Sequence, residues 1–402
     1  MLSTIIYRSH IADDVPVKIL EELAVKANKV NELFDVTGIL LFNGTHFFQV
    51  LEGPEKAVRT IYDRLCDDSR HHNIVELMRD YAPSRRFGNV GMELFDLRQY
   101  DKATVLQAVF DKGTSKYQLT YDDRALRFIR TFVEATEKEN YFEIPPANNW
   151  DFVTDKIAPS IQPPALPDEG CHFAFQPIID PLAQQVVSIE ALLRTTDGGS
   201  PRDYFSTLPE DEIYAADLHA KKHAFALADK LGIQGQTLSV NLLPMALVMV
   251  PDAVEILLEG IRANGLVPDQ IIVEVTENEV ISRLGEFAIS IKKLKAAGIR
   301  LALDNFGAGF GGLSLLSRIQ PDVIKIDRNI ICDVHKSGSK QAIVQAILKC
   351  CSSLEIAVIA AGVEKPEEWM WLEAAGICQF QGYLFASPEL NAIPDVAWPE
   401  PK

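Results

Sequence analysis

No stretch of the chain approaches the roughly 18 uninterrupted apolar residues that a membrane span requires. Basic residues are also short, with 39 Lys and Arg against 56 Asp and Glu, a formal net charge of −17. Such a surface repels a phosphate backbone, which argues against direct nucleic-acid binding. The amino terminus runs straight into a strand-like segment at Thr4, so the expected location is the cytoplasm, with no membrane partner. Cysteines are few, and Cys66, Cys171, Cys332, Cys350, Cys351 and Cys378 show no metal-type pairing. They read as buried thiols in a reducing compartment. Short repeats and low-complexity tracts are lacking too.

At 402 residues, 47% of them hydrophobic, the chain is too long for one ordinary core, and two domains are expected. The first reads as strand (Thr4 to Tyr7), helix (Val17 to Phe34), two strands joined by the turn dipeptide Asn43-Gly44, a helix carrying Val58, Ile61 and Leu65, and strands at Ile74 to Tyr81 and Asn89 to Phe95. That βαββαββ order is ferredoxin-like and predicts an α/β domain over residues 1–97. From 98 to 169 a helical joint, with Leu126, Ile129 and Val133 on one stripe, leads into a linker holding Pro145, Pro146, Pro159, Pro163, Pro164 and Pro167, which predicts an extended connector. From 170 to 402 eight apolar strands alternate with helices: His172 to Ile179, Val186 to Leu193, Thr237 to Leu242, Ile271 to Val275, Ile299 to Leu303, Val323 to Ile326, Ala357 to Ala360 and Tyr383 to Phe385. This pattern predicts a TIM-type (β/α)8 barrel.

Polar residues stand where the patterns call for apolar ones. In the first helix Leu20, Ala24, Ala27, Asn31 and Phe34 recur at steps of four and three, so Asn31 falls on the core-facing stripe. In Phe47-Phe48-Gln49-Val50-Leu51 the period of two puts Gln49 on the face of Phe47 and Leu51, and Tyr7 ends an apolar strand in the same way. Singly, each reads as a buried polar group satisfied by the backbone. Together, Tyr7, Asn31, Gln49 and Met92, with Asp35-Val36-Thr37-Gly38 and Leu51-Glu52-Gly53 around them, resemble the BLUF family of blue-light sensors over residues 1 to about 97. The resemblance implies a noncovalent flavin, FAD or FMN, between the two helices. Asn31 would bond the ring's amide edge, Gln49 would bridge Tyr7 to the flavin, and Met92 would pass the change onward. Val90 stands where some members carry Trp, which excludes an indole relay at that position.

In the barrel, Glu190, Asn241, Glu274, Asp304, Lys325, Asp327 and Glu364 fall at the carboxyl ends of strands, where barrel enzymes keep their chemistry. A convergent set of oxygen ligands suits Mg²⁺ or Mn²⁺. Glu190-Ala191-Leu192-Leu193-Arg194 is the EAL signature. Val240-Asn241-Leu242-Leu243-Pro244, Glu274-Val275-Thr276-Glu277, Asp304-Asn305-Phe306-Gly307, Lys325-Ile326-Asp327 and Gln381-Gly382-Tyr383 follow in the order of the cyclic-di-GMP phosphodiesterases. That resemblance implies that Glu190, Asn241, Glu274 and Asp304 hold a first metal, that Gln176 and Arg194 face the dinucleotide, and that Lys325, Asp327 and Glu364 serve catalysis. It also reveals losses at the second metal. Asn305 replaces one of two acidic residues, and Ala361 replaces the glutamate of Ala-Glu-Gly-Val-Glu. Ala308 and Phe310 replace two hydroxyl residues in the loop that follows.

Two functions from different classes follow. One is a light-gated phosphodiesterase cutting cyclic di-GMP. The other is a light-controlled binding module whose barrel has lost hydrolysis. The second agrees with a resemblance to the BLUF-EAL antirepressors of enterobacteria, which relieve a MerR-like repressor by binding it. The resemblance rests on Leu40-Leu41-Phe42-Asn43-Gly44, Phe110-Asp111-Lys112-Gly113-Thr114-Ser115-Lys116 and Glu368-Trp369-Met370-Trp371-Leu372. The acidic chain suits a basic partner. Cyclic di-GMP as a ligand and a homodimer stay open at this level.

Overall fold

The computed structural model of the chain describes residues 2–12, 15–16, 20–82, 85–88, 90–112, 123–134, 144–154, 170–233, 236–276, 283–309 and 311–402. Of the residues singled out above, Val17, Asn89, residues 113–116, Pro159, Pro163, Pro164, Pro167, Glu277 and Phe310 lie outside them. Contacts divide the chain into two compact units. One is Met1–Ile144 with Asp333–Ala342, and the other is Pro145–Cys332 with Ile343–Lys402.

In the first unit β1 (Leu2–Ile11), β2 (Thr37–Phe42), β3 (His46–Pro54), β4 (His71–Ala82) and β5 (Gly91–Asp96) form one sheet in the order β4-β1-β3-β2-β5. β5 runs parallel to β2, and the other neighbours are antiparallel. α1 (Leu20–Leu33) follows β1 and α2 (Glu55–Cys66) follows β3, completing the expected βαββαββ order. Strand alternation gives the sheet two faces. Ile5, Tyr7, Val36 and Leu51 pack on Val58, Ile61 and Tyr62 of α2. Ile6, Ile39, Leu41, Phe48 and Val50 are covered by α3 (Lys102–Phe110) and α4 (Arg124–Glu134). The stripe at Leu126, Ile129 and Val133 thus finds its partner in the second face, each side chain contributing about 1.5–3 kcal/mol by its burial.

Phe42 pairs with Phe47 and the Asn43 N–H donates to the His46 carbonyl at 3.2 Å, so the turn itself is the two residues Gly44 and Thr45. The Asn43 side-chain oxygen accepts the N–H groups of Thr45 and His46 at 3.1 and 2.7 Å and so takes over bonds the ladder would have made.

The second unit is a closed eight-stranded barrel. Its strands are β7 (His172–Asp180), β8 (Gln185–Arg194), β9 (Thr237–Asn241), β10 (Ile271–Thr276), β11 (Arg300–Phe306), β12 (Val323–Ile326), β13 (Ala357–Ala361) and β14 (Gln379–Gln381). β7 is antiparallel to both β8 and β14, and its pairing with β14 closes the ring. The cause is local, because only four residues separate β7 from β8, enough for a hairpin and too few for the crossover that a parallel pair needs. From β8 to β14 all pairs are parallel. Between them run α5 (Pro201–Ser206), α6 (Ile213–Lys230), α7 (Ala246–Met249), α8 (Ala253–Ala263), α9 (Leu284–Ala296), α10 (Gly312–Ile319), α11 (Arg328–Ile331), α12 (Gly338–Ser353) and α13 (Pro366–Ala374).

Two expectations are corrected. The eighth strand lies at Gln379–Gln381, and residues 383–385 form the turn that follows it. Within the proline-rich stretch, β6 (Trp150–Thr154) pairs antiparallel with β16 (Ala397–Pro401), so part of the expected connector is sheet. A short β15 (Glu389–Leu390) lies beside β7.

Candidate functional sites

The first unit's site begins with register. β1 and β3 pair with Tyr7 directly opposite Gln49, which brings the two polar residues together inside an apolar face. The Tyr7 hydroxyl donates to Gln49 Oε1, and Gln49 Nε2 donates to Met92 Sδ at 3.4 Å. Asn31, on α1, donates from Nδ2 to the Gly91 carbonyl at 3.2 Å. Tyr7, Asn31 and Gln49 are all buried. Gly38 makes the convergence possible, since a Cβ there would stand 2.5 Å from Asn31 Nδ2 and 2.9 Å from Met92 Sδ. The structure therefore brings together all four residues expected from the sequence, while Val90 is exposed.

Asn31, Gln49 and Met92 line a cavity of about 300 Å³, and Tyr7 stands behind Gln49. The volume is at the small end of the roughly 300–1,000 Å³ of ligand sites. Leu40, Phe47 and Ile61 supply apolar walls, while Lys26 and Arg64 stand at the cavity as cations, with Arg70 there paired to Asp68. A flat ring with an amide edge fits among the apolar walls and amides, and a phosphate fits the cations. The α1 stripe explains the space: Ala24 and Ala27 are only partly covered by protein and face the cavity.

Burial, reinforced by Tyr62, pushes the Tyr7 phenol well above its ordinary pKa, so it stays a neutral donor. Burial lowers His71 at the cavity, leaving its imidazole uncharged at neutral pH. Sequence reading missed Asn28, whose Oδ1 accepts the Met92 N–H at 2.6 Å and fixes the start of β5 on α1. Its only signal is its place one turn before Asn31.

At the barrel mouth the structure builds an ion-pair cluster. Lys325 Nζ, from β12, donates to Glu190 Oε2 on β8 at 2.6 Å and to Glu274 Oε2 on β10 at 2.8 Å. Asn241 Nδ2 donates to Glu190 Oε1 at 2.5 Å and Gln381 Nε2 to Glu190 Oε2 at 2.6 Å. Gln381 also donates to Gln176 Oε1 at 3.2 Å, and Gln176 Nε2 reaches the Ala386 carbonyl at 2.9 Å. Burial opposes charge on Glu190, but the Lys325 ammonium and the two amides overcome it and hold the carboxyl below its usual range. Burial and the Glu190 charge push Glu274 up to about 8. Burial opposes the ammonium of Lys325, yet the surrounding carboxylates raise it and keep it protonated. Asp304 is raised, chiefly by burial.

Four carboxyl-end residues expected as a metal set, Glu190, Asn241, Glu274 and Asp304, are thus organised around an ammonium. Among the described residues no group of three or more His, Cys, Asp or Glu converges in a way that could hold a metal ion. Lys325 bonds both buried glutamates, and neither Asn305 nor Ala361 adds a carboxylate, so the second of two divalent cations would lack anionic ligands here.

The remaining expected residues go elsewhere. Asn305, at φ 54°, donates to Asp304 Oδ2 at 3.0 Å. Asp327 caps α11 by accepting the Asn329 N–H at 2.9 Å. Glu364 is paired with Arg328 Nη2 at 2.6 Å, a partner that sequence reading missed. Arg194 donates to the neighbouring Leu193 carbonyl at 2.8 Å.

Comparison with known proteins identifies the domains that carry the two sites. A family model for the EAL domain matches residues 162–388, and one for sensors of blue-light using FAD (BLUF) matches 2–93. The blue light- and temperature-regulated antirepressor BluF of Escherichia coli K12 is 59% identical over 403 residues, covering all of both chains. The manganese and cyclic-di-GMP complex of Klebsiella pneumoniae BlrP1 at pH 6 has a TM-score of 0.93 at 42% identity, again over all of both chains. A standalone EAL protein of Vibrio cholerae, with cyclic di-GMP bound, is 33% identical with a TM-score of 0.54, covering 57% of this chain and 97% of that one. The chain belongs to the BLUF-EAL family, a flavin-binding blue-light receptor domain joined to an EAL output domain.

Proposed function

We propose that the chain is a light-controlled antirepressor whose EAL barrel binds a MerR-like repressor and does not cleave cyclic di-GMP. The observation that carries this reading is the loss of two carboxylates at the second metal position, where Asn305 and Ala361 stand and neither brings a charge. Two-metal hydrolysis needs both ions to make the nucleophile and stabilise developing charge. The identity to the antirepressor BluF over the whole chain supports the output. A net charge of −17 favours a basic protein partner and keeps the chain off operator DNA.

The switch we assign to Tyr7 and Gln49, with Asn31 and Met92 positioning the ring and the glutamine. A bound flavin supplies light absorption and electron acceptance. Tyr7 would be the residue nearest to serve such a flavin as electron donor, and its hydroxyl proton is held on the bond to Gln49 Oε1. The Gln49 side chain carries a donor and an acceptor. Turning it about its last bond exchanges which one faces Tyr7 and which faces Met92, without leaving the pocket. The flavin we assign is FAD, the cofactor in the family's description, with FMN, present in one BlrP1 complex, as the alternative. Chromatography of the released cofactor separates them.

Capture from cell extract tests the output. With the purified chain immobilised in light and in dark, a MerR-type repressor should be enriched in one state. Equal capture of such proteins in both states would contradict the reading. The second reading, a light-regulated phosphodiesterase, is favoured by the retained Lys325, Asp327 and Glu364 and by the cyclic-di-GMP-bound BlrP1.

A further inference from the structure

The cross-strand row that holds the switch does not end in the sensor sheet. Tyr7 pairs with Gln49 on one side and, on the other, with Glu76 of β4, the edge strand. Glu76 in turn makes a parallel bridge to Ser337. One row therefore runs Gln49, Tyr7, Glu76, Ser337, and its last member comes from the Asp333–Ala342 segment that belongs to this unit.

A second link is made by the next residue. Strand alternation turns Arg8 to the face opposite Tyr7, where it is buried and donates from Nη2 to Gln341 Oε1 at 3.1 Å. Gln341 is buried as well, and its own amide donates to the Val334 and His335 carbonyls at 3.1 and 3.3 Å, so it ties the segment to itself while receiving Arg8. Close approach is built in at Gly338, where a Cβ would stand 2.8 Å from Leu77 Cδ2 and 3.1 Å from the Glu76 carbonyl. The β1–β4 ladder shifts register on both sides of Tyr7 and Arg8, between Ile6 and Tyr7 and between Arg8 and His10. Pairing is thus already irregular where the switch residue sits, and a local change there does not have to break a long uniform ladder.

We propose that the Asp333–Ala342 segment is the receiver of the light signal. A change in the Tyr7–Gln49 hydrogen bond is passed by the Glu76–Ser337 bridge and by the Arg8–Gln341 bond to the start of α12. That helix begins at Gly338, and from Ile343 onward its residues belong to the second unit. The inference rests on Tyr7 and Gln49 being the switch, and its test separates the two.

Amide hydrogen exchange of the flavin-loaded full chain is followed by mass spectrometry in dark and light, with the flavin absorption band recorded on the same samples. The wild type should show the red-shifted band together with a several-fold change in exchange over 333–347. In Gln341→Ala, and separately in Gly338→Val, the red shift should persist while the exchange change over 333–347 disappears. A red shift with no exchange change in the wild type would overturn the receiver, as would an undiminished change in both variants. No red shift in the wild type would overturn the switch and the receiver with it.

Discussion

At the residue scale, the candidate flavin pocket was legible because polar residues broke apolar periodicities. Gln49 lies on a core face by the period of two, and Asn31 on a helical stripe, so a buried amide was predicted at each before any partner was known. Asn28 left almost no trace, because its bond to the Met92 N–H spans 64 residues and depends on where α1 docks against β5. Gln49→Leu should abolish the light-induced red shift and leave the buried Tyr7 hydroxyl without its acceptor, costing about 1–3 kcal/mol. Tyr7→Phe should abolish the shift as well, by removing the hydroxyl itself. A full photocycle in either variant, by light-minus-dark absorption, would refute the assignment.

The barrel cluster yields a pH prediction at the same scale. Glu274 has a folded pKa raised to about 8 from an ordinary 4.5. The folded state therefore holds a proton that the unfolded chain has released, and stability falls as pH rises through that interval. Glu190 is shifted down, so its contribution is lost only below the ordinary carboxylate range and does not overlap. The melting temperature of the barrel should drop between pH 5 and 8, and Glu274→Gln should flatten that drop. Parallel calorimetric curves for the two proteins would contradict the cluster's electrostatics.

At the element scale, order and type were readable from periodicity, whereas three local features were not. The antiparallel entry of β7 hinges on the four-residue hairpin to β8, and the apolar pattern of a buried strand is the same in either direction. β6 was hidden by neighbouring prolines, and its partner β16 lies at the other end of the unit in sequence. Lys325 was expected to serve catalysis, and its bonds to two glutamates depend on strands that meet only in the closed barrel. The stripe on α4 was correctly read as needing a surface. Phe132 stacks on Phe48 with centroids 5.0 Å apart, so Phe132→Ala should cost about 3–5 kcal/mol in chemical denaturation. A loss below about 1 kcal/mol would mean that α4 is not part of the sensor core.

At the scale of the whole molecule, a candidate photoswitch is joined to a barrel in which one lysine bonds two buried glutamates. Motif order alone pointed to a hydrolase, and two substitutions in those motifs, Asn305 and Ala361, redirected the reading toward binding. The backbone at Asn305, φ 54°, is one that aspartate also tolerates, so Asn305→Asp is compatible with the fold.

Hydrolysis is the most direct measurement. The purified, flavin-loaded chain is incubated with cyclic di-GMP and Mg²⁺ or Mn²⁺, in dark and under blue light, and linear dinucleotide is quantified. No product above the buffer control in either state is predicted for the wild type, with product appearing in the Asn305→Asp, Ala361→Glu double variant. Linear dinucleotide formed by the wild type at an enzyme-like rate, in dark or in light, would contradict the account.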